Sequence, residues 1–263
     1  MPFPTHAGRV AVITGAARGI GQALCRAFAE RGATVVGVDI ADMEETASQV
    51  AAHDADWIGV RADVGDAKEV VRAARTIEAD AGRCDILVNN AGIYGNVPWD
   101  ALDWDTWRDY HRINIDSMYL LCKALVPGMK ERKWGRVIHI SSVLGVGSKE
   151  KRNVYSACKA ALIGMTRHFA GLYAAQGVTA NCVAPGRIQT PLSSTSATRW
   201  CIARSSVPPI YMPGRLRTGS RPSRTWIWPA PYSASAATAV PITGESVLMA
   251  SSTGSVLESP MLS

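Results

Sequence analysis

Residues 9–21 read RVAVITGAARGIG, in which an apolar, β-branched run is followed at once by glycines. The run predicts a strand, and the helix-forming stretch Gln22–Arg31 predicts a helix directly behind it. Gly15, Gly19 and Gly21 allow a tight turn, close approach of the backbone to a pyrophosphate, and close packing of helix on strand. The stretch is therefore typical of the first strand, turn and helix of a nucleotide-binding α/β fold.

The next predicted strand, residues 33–39, ends in Asp39, eighteen positions after Gly21. A carboxylate at such a place can accept hydrogen bonds from both ribose hydroxyls of an adenosine and would repel a 2′-phosphate. Asp39 therefore favours NAD over NADP as the cofactor. Arg18 favours the opposite choice, because a guanidinium in the glycine loop can pair with a 2′-phosphate. The plain alternative for Asp39 is a solvated strand end.

Strand and helix patterns continue to alternate along the chain, which predicts a Rossmann-type, doubly wound parallel sheet in a single α/β domain. Ligands of such sheets bind beyond the carboxyl ends of the strands. Several polar or turn-forming residues fall at or just beyond the predicted strand ends. The further strands are predicted near 56–63, 84–90, 135–142 and 178–184, and the helices near 42–52, 66–82, 103–131 and 152–175.

Tyr155 and Lys159 are four residues apart in a predicted helix, so both side chains would lie on one helix face. A nearby ammonium stabilises a phenolate and would lower the pKa of the tyrosine from its usual value of about 10. A tyrosine tuned in this way can take a proton from an alcohol or give one to a ketone. The plain alternative is a surface lysine one turn from a half-buried tyrosine.

The residues Thr14–Gly21, Asn89–Gly92, Ser142, Tyr155 and Lys159 together resemble the classical short-chain dehydrogenase/reductase (SDR) family, from about residue 8 to residue 192. The resemblance implies that Tyr155 is the general acid/base and that Lys159 lowers its pKa and holds the nicotinamide ribose. It further implies that Ser142 orients the substrate oxygen and that Asn114 positions a water in the proton relay. Without the resemblance, Ser142 and Asn114 would be ordinary turn and helix residues.

The same resemblance implies a set of residues that contact the cofactor. The glycine loop holds its phosphates, the Asn-Asn-Ala-Gly segment braces the central sheet, and the segment after the sixth strand covers the nicotinamide. The implied residues are Thr14, Gly15, Ala17, Arg18, Gly19, Ile20, Gly21, Asp39, Ile40, Asp63, Val64, Asn90, Ala91, Gly92, Tyr155, Lys159, Pro185, Gly186, Ile188 and Thr190.

The substrate is less clear from the sequence. Several scaffold segments resemble family members that oxidise secondary alcohols such as arylethanols, so we expect an alcohol or ketone substrate. An alternative is a 3-oxoacyl-(acyl-carrier-protein) reductase, whose acidic carrier protein Lys130, Lys133 and Arg136 could bind. The charged loop 149–152 is either a solvated rim or a clamp for an anionic substrate. A rival from another class is a non-catalytic nucleotide-binding protein with an impaired substrate pocket.

The sequence departs from the family after residue 192. Residues 217–240 contain three prolines and no acidic residue, and this predicts that no helix forms there. The fragments at 213–216 and 241–249 still resemble the family. We therefore divide the chain into a cofactor-binding domain with the catalytic set, 1–192, and a C-terminal segment, 193–263. This segment is either translated out of register, by a frameshift or a sequencing error, or a truly divergent tail.

Composition agrees with a single large core, since 47% of the 263 residues are hydrophobic. The net charge of +6 does not indicate a nucleic-acid partner, because the basic excess lies in the Pro/Ser-rich C-terminal segment and not on a regular element. Residues 199–258 alone carry six arginines against two glutamates. The six cysteines include no C-x-x-C pair, so neither a metal site nor a disulfide framework is expected. No signal-peptide pattern or transmembrane run is present, which predicts a cytoplasmic protein without a membrane partner. The family resemblance implies a homodimer or homotetramer through helices 103–131 and 152–175.

Overall fold

The computed structural model describes residues 5–147, 151–186 and 188, and five further strands at 200–202, 210–213, 224–229, 247–250 and 256–258. The chain divides into two compact units, Met1–Ile202 and Ala203–Ser263. The first unit carries all of the predicted site residues.

The elements of the first unit follow the predicted alternation. Its strands are β1 Val10–Thr14, β2 Thr34–Asp39, β3 Trp57–Arg61, β4 Ile86–Asn89, β5 Gly135–Ile140, β6 Val178–Pro185 and β7 Trp200–Ile202. Its α-helices are α1 Gly19–Ala29, α2 Glu44–Ala51, α3 Ala67–Ala81, α4 Trp104–His111, α5 Ser117–Glu131 and α6 Asn153–Tyr173.

The described strands of this unit form one sheet in the order β3-β2-β1-β4-β5-β6-β7. Strands β1 to β6 are parallel, and β7 pairs antiparallel with β6. Alternate residues of β1 enter different cores: Val10 and Val12 pack with α3, α5 and α6, whereas Ala11 and Ile13 pack with α1 and α2. Because helices cover both faces, β1 is buried along its whole length. The predicted doubly wound α/β fold is confirmed.

The predicted helix 103–131 is interrupted. Between α4 and α5 the backbone forms a π-helix, Arg112–Asp116. Asn114 Nδ2 donates to the carbonyl oxygen of Tyr110 at 3.0 Å, and Ser117 Oγ donates to that of Ile113 at 2.7 Å. Each side chain thereby takes the carbonyl four residues earlier, which a regular helix would bond through its backbone, and so favours a wider turn.

In the second unit, the described strands are β8 Ile210–Pro213, β9 Arg224–Pro229, β10 Val247–Ala250 and β11 Val256–Glu258. They form a sheet in the order β11-β10-β9-β8, in which β9 and β10 are parallel and the outer pairs are antiparallel. Strand β9 lies in the proline-containing stretch for which no helix was expected. The two interpretations of this segment's origin stay predictions.

Candidate active site

Polar and turn-forming residues gather at the carboxyl edge of the sheet, as expected. Each of the first six strands ends at or shortly before one of them: Gly15, Asp39, Asp63, Asn90, Ser142 and Pro185 follow or close β1 to β6 in that order. The sheet order reverses between β1 and β4, so the glycine loop and Asn90 lie at the crevice where doubly wound folds bind ligands.

The glycine loop leaves no room for a side chain at Gly15 or Gly21. Gly15 has φ +67°, and its N–H donates to the carbonyl oxygen of Val38 at 2.8 Å. A Cβ added at Gly15 would lie 3.0 Å from Ala91 Cα, and one added at Gly21 would overlap the carbonyl oxygen of Gly15. Helix α1 begins at Gly19, earlier than predicted, so its free N–H groups open directly onto the loop. This cradle fits a pyrophosphate.

Thr14 and Asn90 join β1 to β4 across the crevice. Thr14 Oγ1 accepts hydrogen bonds at 3.0 Å from the N–H groups of Asn90 and Ala91. Asn90 Nδ2 donates in return to the carbonyl oxygen of Thr14 at 2.8 Å. The Asn-Asn-Ala-Gly segment therefore braces the glycine loop through side chains of both strands.

Asp39 faces the glycine loop. Its Oδ2 accepts from the N–H of Ala17 at 2.9 Å, and its Oδ1 accepts from the N–H of Ala41 at 3.0 Å. Arg18 caps the start of α1 and is exposed, and Ile40 is 62% exposed. The structure thus places the carboxylate that favours NAD and the guanidinium that favours NADP at the same loop.

Asp63 is tied to the π-helix by an ion pair. Its Oδ2 accepts from Arg112 Nη1 at 2.8 Å, and its Oδ1 accepts from the N–H of Gly65 at 2.8 Å. Burial raises the pKa of Asp63, but the hydrogen bonds from Arg112 and Gly65 outweigh it and hold the pKa below its usual value. Both carboxylate oxygens are engaged within the chain, and the neighbouring Val64 is buried.

Asn114 and Lys159 border one small space beside Gly92. Asn114 is 2% exposed, and its Oδ1 is buried without a hydrogen-bond partner in the described part of the chain. A Cβ added at Gly92 would lie 2.5 Å from Asn114 Oδ1 and 3.3 Å from Lys159 Nζ. An unpaired buried acceptor beside an ammonium suits a small polar partner such as a water molecule.

Lys159 is 4% exposed, and its Nζ donates to the carbonyl oxygen of Ile140 at 3.0 Å. Burial lowers the pKa of Lys159 to about 8. The predicted lowering of the pKa of Tyr155 is wrong in this structure: burial raises it to about 12, although the nearby Ser142 hydroxyl acts in the opposite direction. The spacing on the helix did place Lys159 Nζ 5.6 Å from the centre of the Tyr155 ring, but burial dominates.

The two serines after β5 have different roles. Ser141 Oγ donates to the carbonyl oxygen of Lys159 at 2.7 Å and fixes α6 against the strand end. Ser142 Oγ accepts from the N–H of Leu144 at 3.1 Å, and its hydroxyl is close enough to Tyr155 to act on the pKa of the tyrosine. Ser142 is therefore both a turn residue and a neighbour of the tyrosine hydroxyl.

The segment after β6 is described only in part. Pro185 is buried, and Gly186 and Ile188 are half-buried. Thr190 lies outside the described residues, as do Lys149 and Glu150 of the charged loop.

The structure adds Tyr94 and Arg152 to the site; sequence reasoning had assigned Tyr94 no role and had weighed Arg152 only as part of a charged loop that is either a solvated rim or a clamp for an anionic substrate. Tyr94 meets Tyr155 edge to face, with 5.0 Å between ring centres. Arg152 stacks on the ring of Tyr94, with its guanidinium carbon 3.8 Å from the ring centre. The only signal in the sequence was the position of Arg152 in a charged loop shortly before Tyr155.

The basic residues suggested for docking a carrier protein lie elsewhere. Lys130 is in the last turn of α5, and Lys133 and Arg136 flank the start of β5. Strand β5 has six residues, so its start is about 20 Å from the edge that carries Ser142. Arg136 stacks on Trp134, with its guanidinium carbon 4.3 Å from the ring centre. The expectation that these residues serve the site is therefore not supported by their position.

Residues 9–199 match the short chain dehydrogenase family. The chain belongs to this family. It is 37% identical over 187 residues to the 3-oxoacyl-(acyl-carrier-protein) reductase FabG of Vibrio harveyi, a match that covers 71% of this chain and 76% of that protein. It is 38% identical over 206 residues to the oxidoreductase UcpA of Salmonella typhimurium, covering 76% and 75% of the two chains.

A solved structure of a short chain dehydrogenase from Mycobacterium paratuberculosis bound to NAD is also similar. The TM-score is 0.68 and the identity 32%, with 71% of this chain and 74% of that chain covered. As a member of the short-chain dehydrogenase family, the protein is an oxidoreductase that acts on CH–OH groups with a nicotinamide cofactor. In the part of the chain that the structure describes, no helix is both long and apolar enough to cross a bilayer. Nor do the described residues include a cluster suited to a metal ion.

Proposed function

We propose that the protein transfers a hydride between NAD(H) and a secondary alcohol or ketone, with Tyr155 as the general acid/base. The observation that carries the proposal is the grouping of Ser142 and Lys159 around Tyr155: the Ser142 hydroxyl acts on the pKa of the tyrosine, and Lys159 Nζ lies 5.6 Å from its ring centre and is nearly fully buried. This arrangement brings one proton donor and one orienting hydroxyl to the same point.

The bound nicotinamide would supply the hydride to the carbonyl carbon, or accept it from the alcohol. Ser142 donates a hydrogen bond to the substrate oxygen and orients it toward Tyr155. Tyr155 Oη gives its proton to that oxygen during reduction and takes it back during oxidation. Lys159 lowers the energy of the phenolate left on Tyr155, and the unpaired Oδ1 of Asn114 accepts from a water that resupplies the proton.

The pKa values in the free enzyme favour the reductive direction. A tyrosine with a pKa of about 12 is protonated at neutral pH and is ready to act as an acid. Lys159, with a pKa of about 8, is mostly charged at neutral pH. The rate of ketone reduction should therefore fall as the pH rises through 8, because Lys159 then loses the charge that stabilises the phenolate.

We propose NAD as the preferred cofactor. Asp39 supports this choice, since its carboxylate is fixed at the glycine loop, where it would repel a 2′-phosphate. The similar structure from Mycobacterium paratuberculosis was solved with NAD. Arg18 is exposed at the same loop, and its side chain makes no capping hydrogen bond to α1.

A second candidate is the reduction of a 3-oxoacyl group on a carrier protein. It is favoured by the relative from Vibrio harveyi, which is a 3-oxoacyl-(acyl-carrier-protein) reductase. The position of Lys130, Lys133 and Arg136 at the far end of β5 speaks against docking by those residues, so free ketones remain the first choice.

We also propose that the protein forms a homo-oligomer through α5 and α6. Met118, Leu121, Leu125 and Leu162 are buried within the chain itself and are not free for a partner. Tyr119 and Leu172 support the proposal, because these large side chains of α5 and α6 are 50% and 49% exposed.

The test compares the wild-type protein with Tyr155→Phe. We expect tight NADH binding by both proteins in a fluorescence titration, and a loss of ketone reduction of about 100- to 10,000-fold in the variant. The ring and its packing against Tyr94 are kept, so only the transferable proton is removed. Turnover within threefold of wild type would refute Tyr155 as the acid.

The same titration separates the rival functions. Binding of NADH by the wild-type protein without reduction of aryl, cyclic or 3-oxoacyl substrates would support a non-catalytic nucleotide-binding protein. Reduction of a 3-oxoacyl thioester but not of free ketones would support the second candidate.

A further inference from the structure

The positively charged guanidinium of Arg152 lies at the site, and the described residues leave one of its hydrogen-bond donors without a partner. The residue is half-buried, and its Nη1 atom is buried without a hydrogen-bond partner in the described part of the chain. No carboxylate of the described residues forms an ion pair with it. Leaving a buried charged donor unpaired costs stability, so such groups are rare unless a ligand completes them.

The guanidinium is close to the reacting groups. It stacks on Tyr94, 3.8 Å from the ring centre, and Tyr94 in turn meets Tyr155 with 5.0 Å between ring centres. Its charge also acts on the hydroxyl of Tyr155, where it opposes the rise in pKa caused by burial. A ligand group on Arg152 would therefore lie within a small molecule's length of the proton donor.

The surrounding backbone fixes this geometry. The N–H of Val97 donates to the carbonyl oxygen of Lys151 at 3.0 Å, and Asn153 Nδ2 donates to the carbonyl oxygen of Val97 at 3.2 Å. These bonds attach the segment after Tyr94 to the residues on both sides of Arg152. The guanidinium is thus positioned before any substrate arrives.

The local charge favours an anion. Arg152 caps the 21-residue helix α6, whose first turn contains no acidic residue. The partial positive charge of this helix N-terminus adds to that of the guanidinium. From residue 151 to residue 244 the sequence contains no Asp or Glu, so α6 brings no negative charge of its own to the site.

We propose that Arg152 binds a carboxylate of the substrate and that the preferred substrates are ketones carrying a carboxylate, which are reduced to hydroxy acids. The planar guanidinium donates a pair of hydrogen bonds to the carboxylate, Nη1 among the donors, while Tyr94 contacts the apolar part of the substrate. This inference rests on the proposed function, because it names the substrate class of the same site.

The experiment uses three ketones of similar size: acetophenone, 3-acetylbenzoate and 4-acetylbenzoate. Reduction by NADH is measured for the full-length wild type, Arg152→Gln and Arg152→Lys, with Arg75→Gln, an exposed position on α3, as the matched control. We expect Arg152→Gln to lower kcat/KM by about 10- to 100-fold for at least one acetylbenzoate, the size of a charge-assisted hydrogen bond. The loss for acetophenone should be at least tenfold smaller, because this ketone has no carboxylate for Arg152 to bind.

Arg152→Lys should retain part of the preference, because it keeps the charge but not the paired donors. Equal losses for charged and neutral ketones in Arg152→Gln would show that Arg152 only supports Tyr94, and would overturn the proposal. An unchanged kcat/KM for all three ketones would also overturn it.

A binding measurement keeps this inference separate from the proposed function. Equilibrium dialysis gives the dissociation constant of each acetylbenzoate for the NADH-loaded protein without any turnover. If no ketone is reduced, the proposed function fails, and binding that is lost in Arg152→Gln but kept in Arg75→Gln would still support the carboxylate site. Equal binding by wild type and Arg152→Gln would refute that site whatever the activity.

Discussion

Two buried charges lie at opposite ends of the parallel sheet, and their surroundings differ. Asp85, directly before β4, is fully buried and is paired with Arg83 at 2.6 Å, Arg9 at 3.8 Å and Arg132 at 3.9 Å. It also accepts from the N–H of Val10 at 3.0 Å. Lys159, at the carboxyl end, has one hydrogen bond to a backbone carbonyl, and no carboxylate of the described residues pairs with it.

Because of this difference, charged groups at the amino end of the sheet contribute to stability, whereas those at the carboxyl end contribute to function. At the amino end the one buried carboxylate is shared by three arginines, so the cluster joins the starts of β1 and β4 and the end of α5. At the carboxyl end, Arg152 and Asn114 each keep a buried polar atom without a hydrogen-bond partner among the described residues, and Lys159 bonds to a backbone carbonyl. Such unpaired groups lower stability and are available to ligands.

The largest expected effect is at the amino end. Asp85→Ala would leave three arginines without their shared carboxylate and Val10 without its acceptor, and we expect a loss of about 3–5 kcal/mol in the free energy of unfolding. Urea denaturation followed by circular dichroism measures it, with the exposed Asp80→Ala as control. A loss below 1 kcal/mol would show that the cluster is not a major source of stability.

The opposite sign is expected for Lys159→Met. Holding the pKa of Lys159 at about 8 instead of 10.5 costs the folded state about 3 kcal/mol at pH 7. The variant should therefore unfold at higher urea concentration than wild type, while its ketone reduction falls at least 100-fold. The difference in stability should shrink between pH 8 and 10.5, because the folded wild type has lost its proton there while the unfolded chain still holds it.

The matched control for this variant is Lys123→Met, an exposed position on α5, for which neither stability nor activity should change appreciably. A Lys159→Met protein less stable than wild type would mean that the bond to Ile140 outweighs the burial of the charge.

An intermediate effect is expected at His139, the last residue but one of β5. This fully buried side chain contacts Asn89 Nδ2 through Nδ1 at 3.1 Å, and burial lowers its pKa to about 3. The unfolded chain binds a proton near pH 6.5 and the folded chain does not, so stability is lost as the pH falls below 6.5. By pH 5 the loss should be about 2 kcal/mol.

His139→Gln should remove this acid sensitivity while keeping an acceptor for Asn89. The comparison is urea denaturation at pH 7 and pH 5, with the exposed His168→Gln as control. If His139→Gln loses as much stability between the two pH values as wild type does, other groups cause the acid sensitivity.

The smallest effect concerns Asp39, a carboxylate that accepts from two N–H groups and that forms no ion pair with a described residue. Asp39→Asn keeps one acceptor for the glycine loop but removes the negative charge, so NADPH binding should improve relative to NADH by about tenfold, or 1.4 kcal/mol. Fluorescence titration with both cofactors measures the ratio, and Asp42→Asn is an exposed control. An unchanged ratio would assign cofactor choice to another residue.

Much of the fold could be predicted from the sequence, because strand and helix patterns alternate clearly in the first two thirds of the chain. The positions of Gly15, Asn90, Ser142 and Tyr155 could be predicted because each residue belongs to a short local motif of the family. The pKa of Tyr155 could not be predicted, since helix spacing shows which side chains are neighbours but not how deeply they are buried.

Contacts between distant residues were also beyond sequence reasoning. Asp85 lies in the predicted strand near 84–90, for which the sequence indicated no ion pair. Its partner Arg132 is 47 positions away. The pairing of Asp63 with Arg112 spans 49 positions, and the stacking of Arg152 on Tyr94 depends on two loops meeting. Each of these contacts depends on tertiary structure that periodicity does not encode.

The π-helix between α4 and α5 has a consequence for how this chain can vary. Arg112 at its start bonds to Asp63 beyond β3, and Asn114 two residues later borders the space beside Gly92. A π-helical turn contains one residue more than an α-helical turn, so deleting one residue here would close the segment to a regular α-helix without rotating α5 against α4. Backbone N–H groups would then take the carbonyl oxygens that the side chains of Asn114 and Ser117 now bond. One extra residue in this segment therefore positions Arg112 and Asn114 for their two contacts.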